Sequence, residues 1–280
     1  MSENAITTEF DVIIEPKRRN REYWKDLWRY HELLFFLTQR NILIRYKQAV
    51  IGVAWALVRP LSLMLVFAFV FKSVAGFPSG DVPYFLFVLA ALLPWQLLAS
   101  SLADAGNSLV TDAQLISKVY FPRLLVPLSA IGANVVDFLA SSLIFALMLV
   151  LFYHPPGVQF LFFPFFLVLC FLLLLGSGIW LSALTAKYRD FRHLVPFLLQ
   201  IGLYISPIGY DSAMVPEKWR GLYMLNPVVG IVDGFRYSLF GRETGELWDA
   251  AVYSGSFSLI LLITGIAYFR SVERTVADEI

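Results

Sequence analysis

Six stretches of this chain are uncharged or nearly so and long enough to cross a lipid bilayer, and the positive charge falls almost entirely between alternate pairs of them. They run from Ala49 to Phe71, Pro83 to Ala103, Leu124 to Tyr153, Gln159 to Ala186, Leu194 to Tyr210 and Ala250 to Phe269. At ~1.5 Å rise per residue and a hydrocarbon core of ~30 Å each can span, the fifth at the short limit. With 58% hydrophobic and 15% charged residues in 280, too little polar surface remains to cover a water-soluble globule. The runs are continuous in Leu, Phe and Val and lack the short alternating segments of outer-membrane barrel strands. The expectation is an all-α polytopic membrane protein with six transmembrane helices.

Orientation follows from Lys and Arg. Nine precede the first span: Lys17, Arg18, Arg19, Arg21, Lys25, Arg29, Arg40, Arg45 and Lys47. Lys118 and Arg123 join the second and third spans, Lys187, Arg189 and Arg192 the fourth and fifth, and Arg270 and Arg274 lie in the tail. Those on the opposite side are Lys72, Lys218, Arg220, Arg236 and Arg242, and Arg59 sits inside a span. Both termini are therefore expected in the cytoplasm. The net charge of +1 says nothing about partners, because the asymmetry is across the membrane. The first 48 residues lack an apolar core with a small-residue cleavage site, so the first span is expected to act as the targeting signal.

From Glu22 onward Trp24, Leu27, Trp28, His31 and Phe35 recur at offsets of three and four, which predicts an amphipathic N-terminal helix. It either lies in the cytoplasmic membrane interface or packs on the protein's own core. Three regions follow: a cytoplasmic N-terminal region over 1–48, a transmembrane domain over 49–270 and a cytoplasmic tail over 271–280. Between the fifth and sixth spans, at about 211–249, Met224 to Val232 and Phe235 to Phe240 are apolar but too short to cross. Asn226-Pro227, Gly230, Gly234 and Gly241 interrupt them, which predicts re-entrant periplasmic helices.

Several chemistries are absent from the sequence. No G-x-x-x-x-G-K-[S/T] loop and no G-x-G-x-x-G after a strand occurs, so neither common nucleotide site is present. His31, His154 and His193 lie in separate regions, against a metal cluster or a His-based hydrolase. Cys170 is the single cysteine, which excludes an intrachain disulfide. Inside the spans the strongly ionisable residues are Arg59, beside Pro60, and Asp137. Asp137 could serve proton coupling or helix pairing. Two cytoplasmic loops mix charge with apolar anchors: Thr111 to Lys118, with Asp112 and Gln114, and Lys187 to His193, with Arg189, Asp190 and Arg192. They are either solvated turns or contact points for a partner.

Arg40-Asn41-Ile42-Leu43-Ile44-Arg45-Tyr46-Lys47-Gln48, followed by Gly52, Trp55 and Arg59-Pro60-Leu61, resembles the start of the permease subunits of ABC-type polysaccharide exporters. Tyr84-Phe85-Leu86 through Leu93-Pro94-Trp95, Leu115 to Arg123, Lys187 to Arg192 and Leu225-Asn226-Pro227 are similar to the same family, in the same order, from about residue 36 to 240. The likeness is nearest to the O-antigen permeases, with capsule and teichoic-acid permeases as relatives. It implies six transmembrane helices, a cytoplasmic interface helix, a second copy of the chain, and two copies of a separate ATPase subunit that holds ATP and magnesium. No cofactor is expected in this chain, and no nucleic acid. The implied cargo is polysaccharide linked to undecaprenyl diphosphate, and the implied location is a bacterial inner membrane.

The resemblance assigns roles to residues already singled out. Asp112, Gln114, Lys118, Arg189, Asp190 and Arg192 would couple to the ATPase, since a chain without a nucleotide site can receive work only by contact. Arg40, Arg45, Lys47 and Arg59 would meet the diphosphate at the cytoplasmic entrance. Trp55, Tyr204, Tyr210, Asn226, Pro227 and Phe235 are the candidates for channel wall or outer gate. An aromatic wall suits sugars, and the chain carries 25 Phe, 13 Tyr and 7 Trp, most of which need only face lipid. Arg59 could instead snorkel to lipid phosphate. Rival readings are a membrane-embedded polyprenyl-phosphate sugar transferase, which should show clustered acids at one face, and an ion-driven transporter, which should show an inverted repeat or a relay of acids.

Overall fold

Helices are the only regular elements among the described residues, 20–47, 54–152, 155–244 and 246–279 of the computed structural model. The basic run Lys17 to Arg19, the first residues of the first expected span, 49–53, and the last residue of the third, Tyr153, lie outside them. In chain order the helices are α1 (Asn20–Arg29), α2 (His31–Lys47), α3 (Ala54–Phe67), α4 (Tyr84–Thr111), α5 (Ala113–Lys118), α6 (Leu125–Leu151), α7 (Phe163–Lys187), α8 (Phe191–Ile205), α9 (Glu217–Tyr223), α10 (Pro227–Phe240) and α11 (Leu247–Glu279). A π-helical turn, Ala68–Val74, prolongs α3, and a 3₁₀ turn, Val158–Phe162, leads into α7.

Five helical segments are long and apolar enough to cross a membrane: Leu57–Val74, Tyr84–Thr111, Leu125–Leu151, Val158–Lys187 and Leu247–Glu273. They match five of the six expected stretches. The other contains α8, only 15 residues long and so ~22 Å of helix. Ser206 ends it: preceding Pro207, this residue is driven out of the helical region, to φ −81° and ψ 153°. Ser206 to Gly209 then continue as buried, bent backbone.

The central helix is α4. Of its most apolar 18-residue stretch 72% is buried, against 17–28% for the other four. It packs against α6 and α7, and α7 in turn lies along α11. In a membrane, lipid is as apolar as Leu, so close helix approach comes from small residues. At the α7–α11 contact, a Cβ on Gly176 would stand 2.7 Å from the Leu262 nitrogen. One on Gly265 would stand 2.8 Å from the Gly176 carbonyl.

The region expected to be broken by glycines forms instead one continuous helix, α10. Asn226 caps it by accepting from the Val228 N–H at 3.0 Å, Pro227 fills the first turn, and Gly241 closes it with φ +68°. Gly230 and Gly234 do not break α10; they bring it against its neighbours. A side chain on Gly230 would strike the Ala250 carbonyl, and one on Gly234 the ring of Phe166. Packing outweighs the low helix propensity of glycine here.

At the other end of the bundle the expected amphipathic helix is two helices, parted at Tyr30. Tyr23, Leu27, Tyr30, Leu33 and Leu34 pack around buried Leu37, with Leu109, Ile116, Phe121, Leu124 and Phe269. Trp24, Trp28, Phe35 and Phe36 remain exposed on the far side. Leu27 thus belongs to the protein's own core, and the tryptophans do not share its face. α2 packs along α6, where Gly132 admits it: a Cβ there would lie 3.0 Å from Thr38.

Candidate functional site

A cavity of about 450 Å³ opens where α2, α3, α4 and α6 meet. Its lining comes from Arg45, Tyr46, Trp55, Arg59, Gln96, Ser100, Asp104, Asn134, Asp137 and Ser141, with Leu93, Leu97, Ala103 and Phe138 between them. Helical spacing explains the polar wall. Gln96, Ser100 and Asp104 are four apart on α4, and Asn134, Asp137 and Ser141 are three and four apart on α6, so each set lies on one face.

Arg45 holds this wall together. Its Nη1 donates to Asp137 Oδ2 at 2.6 Å and to Asn134 Oδ1 at 3.0 Å, and its Nη2 donates to Asp104 Oδ2 at 2.6 Å. Asn134 Nδ2 donates to the same Asp104 oxygen at 2.8 Å, and the Tyr46 hydroxyl donates to Asp137 Oδ1. Burial disfavours the Arg45 charge, but Asp104 and Asp137 more than offset it and raise its pKa above the usual arginine value. Burial, reinforced by the Asp137 hydrogen bond and charge, pushes Tyr46 up to about 12. Asp137 is thus a helix-pairing acid with a fixed partner. One guanidinium faces two carboxylates, so the cluster carries an excess of negative charge.

The four entrance cations separate. Arg45 is neutralised, and Arg40 donates through Nη2 to both oxygens of Asp112 at 2.7 and 2.6 Å. That pair ties α2 to the α4–α5 junction, so an entrance candidate and a coupling candidate are one structural link. Lys47 lies on the outer face of α2, in a shallow groove with Phe36, Gln39, Leu43 and Ile44. Arg59 is exposed on the cavity wall and makes no ion pair among the described residues. Trp55, 53% exposed, lines the same wall.

The remaining coupling candidates are exposed, Gln114 and Lys118 on α5, Arg189 and Asp190 in the turn before α8 and Arg192 in its first turn, at the end of the bundle that carries α1 and α2. Buried Ile116 seats α5, and Asp190 opens α8, its carbonyl accepting from His193 and Leu194 at 3.1 Å.

The gate candidates scatter. Tyr204 is exposed on α8, its ring 6.5 Å from Phe67. The Tyr210 hydroxyl donates to the Ile205 carbonyl at 2.7 Å. Asn226 caps α10 and donates to Ser206 Oγ at 3.1 Å. Phe235 is fully buried in the core against Phe163.

Near these residues lies a second charged cluster. Arg236 donates to the carbonyls of Phe87, Tyr210 and Ile208 at 3.4, 3.0 and 2.9 Å, and its guanidinium lies 3.5 Å over the Phe87 ring. Asp233 stands 4.0 Å away and accepts from Ser212 at 2.5 Å. Arg242 pairs with Asp211 at 3.0 Å and donates to the Ser79 carbonyl at 2.8 Å.

The sequence reading missed Gln96, Ser100, Asp104, Asn134 and Ser141. Asp104 sits one residue beyond the second expected span, and the signal that would have found it is the i, i+4, i+8 polar face of α4.

The profile of the ABC-2 type transporter family matches residues 32–240. An O-antigen export system permease protein of Klebsiella pneumoniae is 28% identical over 248 residues, 88% of this chain and 94% of that protein. One from Myxococcus xanthus is 25% identical over 258 residues, 91% of this chain and 98% of that protein. An inner membrane transport permease of Escherichia coli strain K12 is 27% identical over 197 residues, 66% of this chain and 75% of that protein.

Proposed function

The chain belongs to the ABC-2 type transporter family, and from that premise we propose that it is the membrane subunit of an ATP-driven exporter that carries undecaprenyl-diphosphate-linked O-antigen polysaccharide from cytoplasm to periplasm. The observation that carries the reading is the similarity along nearly the whole chain to permeases named for O-antigen export. The cavity agrees with it, since a polar pocket whose wall carries Arg59, without an ion pair among the described residues, suits an amphiphilic anion.

In this reading two copies of the chain sit in a bacterial inner membrane with two copies of an ATPase subunit that binds ATP and magnesium. Residues 1–48 and 271–280 are cytoplasmic. The domain of 49–270 crosses six times, with α8 and the bent Ser206 to Tyr210 segment as the fifth crossing and α9 and α10 as the re-entrant outer part. Gln114, Lys118, Arg189, Asp190 and Arg192 contact the ATPase, and Arg59 meets the diphosphate.

Deletion of the chain tests this directly. Surface O-antigen should disappear while lipid-linked polymer accumulates inside, and an ATPase-dead partner should give the same phenotype. Surface polymer that persists without the chain would overturn the proposal. Accumulation of a capsule or teichoic-acid polymer instead would reassign the cargo.

A further inference from the structure

We propose that the cavity between α2, α3, α4 and α6 is a sugar subsite, which holds the first saccharide attached to the lipid diphosphate while Arg59 on its wall meets the diphosphate itself. This rests on the reading of the cargo as a diphosphate-linked glycan. Charge is the first argument. Beside the cluster the wall presents Asp104 and Asp137 with Arg45 already bound to both, so that part of the cavity offers a diphosphate no free cation. Carboxylates and amides are acceptors and donors for hydroxyl groups. Only Arg59, unpaired among the described residues, suits the anion.

Unspent hydrogen-bonding capacity is the second argument. Among the described residues the Gln96 amide nitrogen is buried without a partner, and Asp104, its side chain 43% exposed, uses Oδ2 for Arg45 and Asn134 while Oδ1 has none. A donor left unmade in a buried place is costly unless something arrives to take it. Both residues lie on the cavity wall with Ser100, on one face of α4. Trp55 offers an exposed indole to the apolar face of a sugar ring. A volume of about 450 Å³ falls in the range of small-molecule sites.

The test uses the full-length chain in lipid nanodiscs with two probes, undecaprenyl diphosphate carrying one N-acetylglucosamine and bare undecaprenyl diphosphate, with binding read by native mass spectrometry. The glycosylated lipid should bind about fivefold to tenfold more tightly than the bare one, the worth of one or two well-made hydrogen bonds. Gln96→Leu should remove most of that preference, and so should Asp104→Asn, whereas Arg59→Gln should weaken both lipids. Gln96→Leu breaks no hydrogen bond among the described residues, so it remains interpretable if Asp104→Asn misfolds. Equal binding of the two lipids, or a preference that survives Gln96→Leu, would overturn the sugar subsite and leave the diphosphate reading standing. Failure of the chain to bind either lipid would overturn both.

Discussion

Arg236 and Arg45 are each set among aspartates within a largely apolar chain, but their surroundings differ. Arg236 is 3% exposed, its donors end on three backbone carbonyls, and an aromatic ring fills the space beneath it. Arg45 keeps 32% of its side chain exposed, its partners are side chains on two other helices, and a cavity lies beside it. The first arrangement satisfies broken backbone: in the bent segment from Ser206 to Tyr210, Arg236 donates to the carbonyls of Ile208 and Tyr210. The second fastens three helices yet leaves polar atoms over. Among buried charges, saturation marks a staple, and surplus capacity beside open space marks a site.

The comparison is tested most severely by removing each guanidinium. Arg236→Gln leaves Asp233 buried without its cation and three carbonyls without full donors, and should cost about 3–5 kcal/mol, read as a lower unfolding temperature of the purified protein. Arg236→Lys should not restore it, because one ammonium cannot reproduce the fork. Near-normal stability with lost export would move Arg236 from staple to site.

Arg45→Gln should cost less, about 1–2 kcal/mol, because its partners are partly exposed and one hydrogen bond can be kept. Export should nevertheless fail. Adding Asp104→Asn and Asp137→Asn should recover stability by removing the uncompensated charges, without recovering export. Recovered transport in the triple variant would show that the cluster only fastens helices.

The same contrast explains what the sequence discloses. Apolar length and charge asymmetry are local properties, so five of six spans can be read off the chain, and the shortfall of α8 has a local cause in Pro207. The glycines of α10 misled because their purpose is tertiary: each marks where Phe166 or the Ala250 carbonyl comes close, which no pattern around Gly230 or Gly234 announces. Arg40 and Arg45 looked like free entrance cations because their partners lie 59 to 92 residues away in sequence. Asp104 was legible in principle through its spacing from Gln96 and Ser100, but a count of acids within spans stops at the span boundary.

Arg59 sharpens the comparison from the other side, because it has no ion pair among the described residues to lose. Arg59→Lys and Arg59→Gln should therefore leave stability within about 0.5 kcal/mol, while both reduce export, Gln more than Lys. Lys keeps the charge and loses the fork that suits a diphosphate. Full export by both variants would confine Arg59 to anchoring α3 at the membrane surface.

The smallest effect on the fold belongs to the exposed loops. Arg189 and Asp190 touch neither cluster, and surface charges contribute little to stability. Reversal of either, Arg189→Glu or Asp190→Arg, should leave insertion and unfolding temperature unchanged. If these residues face the ATPase, reversal places like charges across the contact, which slows association and weakens the complex. Yield of the co-purified ATPase and its stimulated hydrolysis should then both fall, most at low salt, where the charges are least screened. A complex unchanged in yield, hydrolysis and salt dependence would leave α5 as the lever, since it is exposed, charged through Lys118 and seated on the core through Ile116.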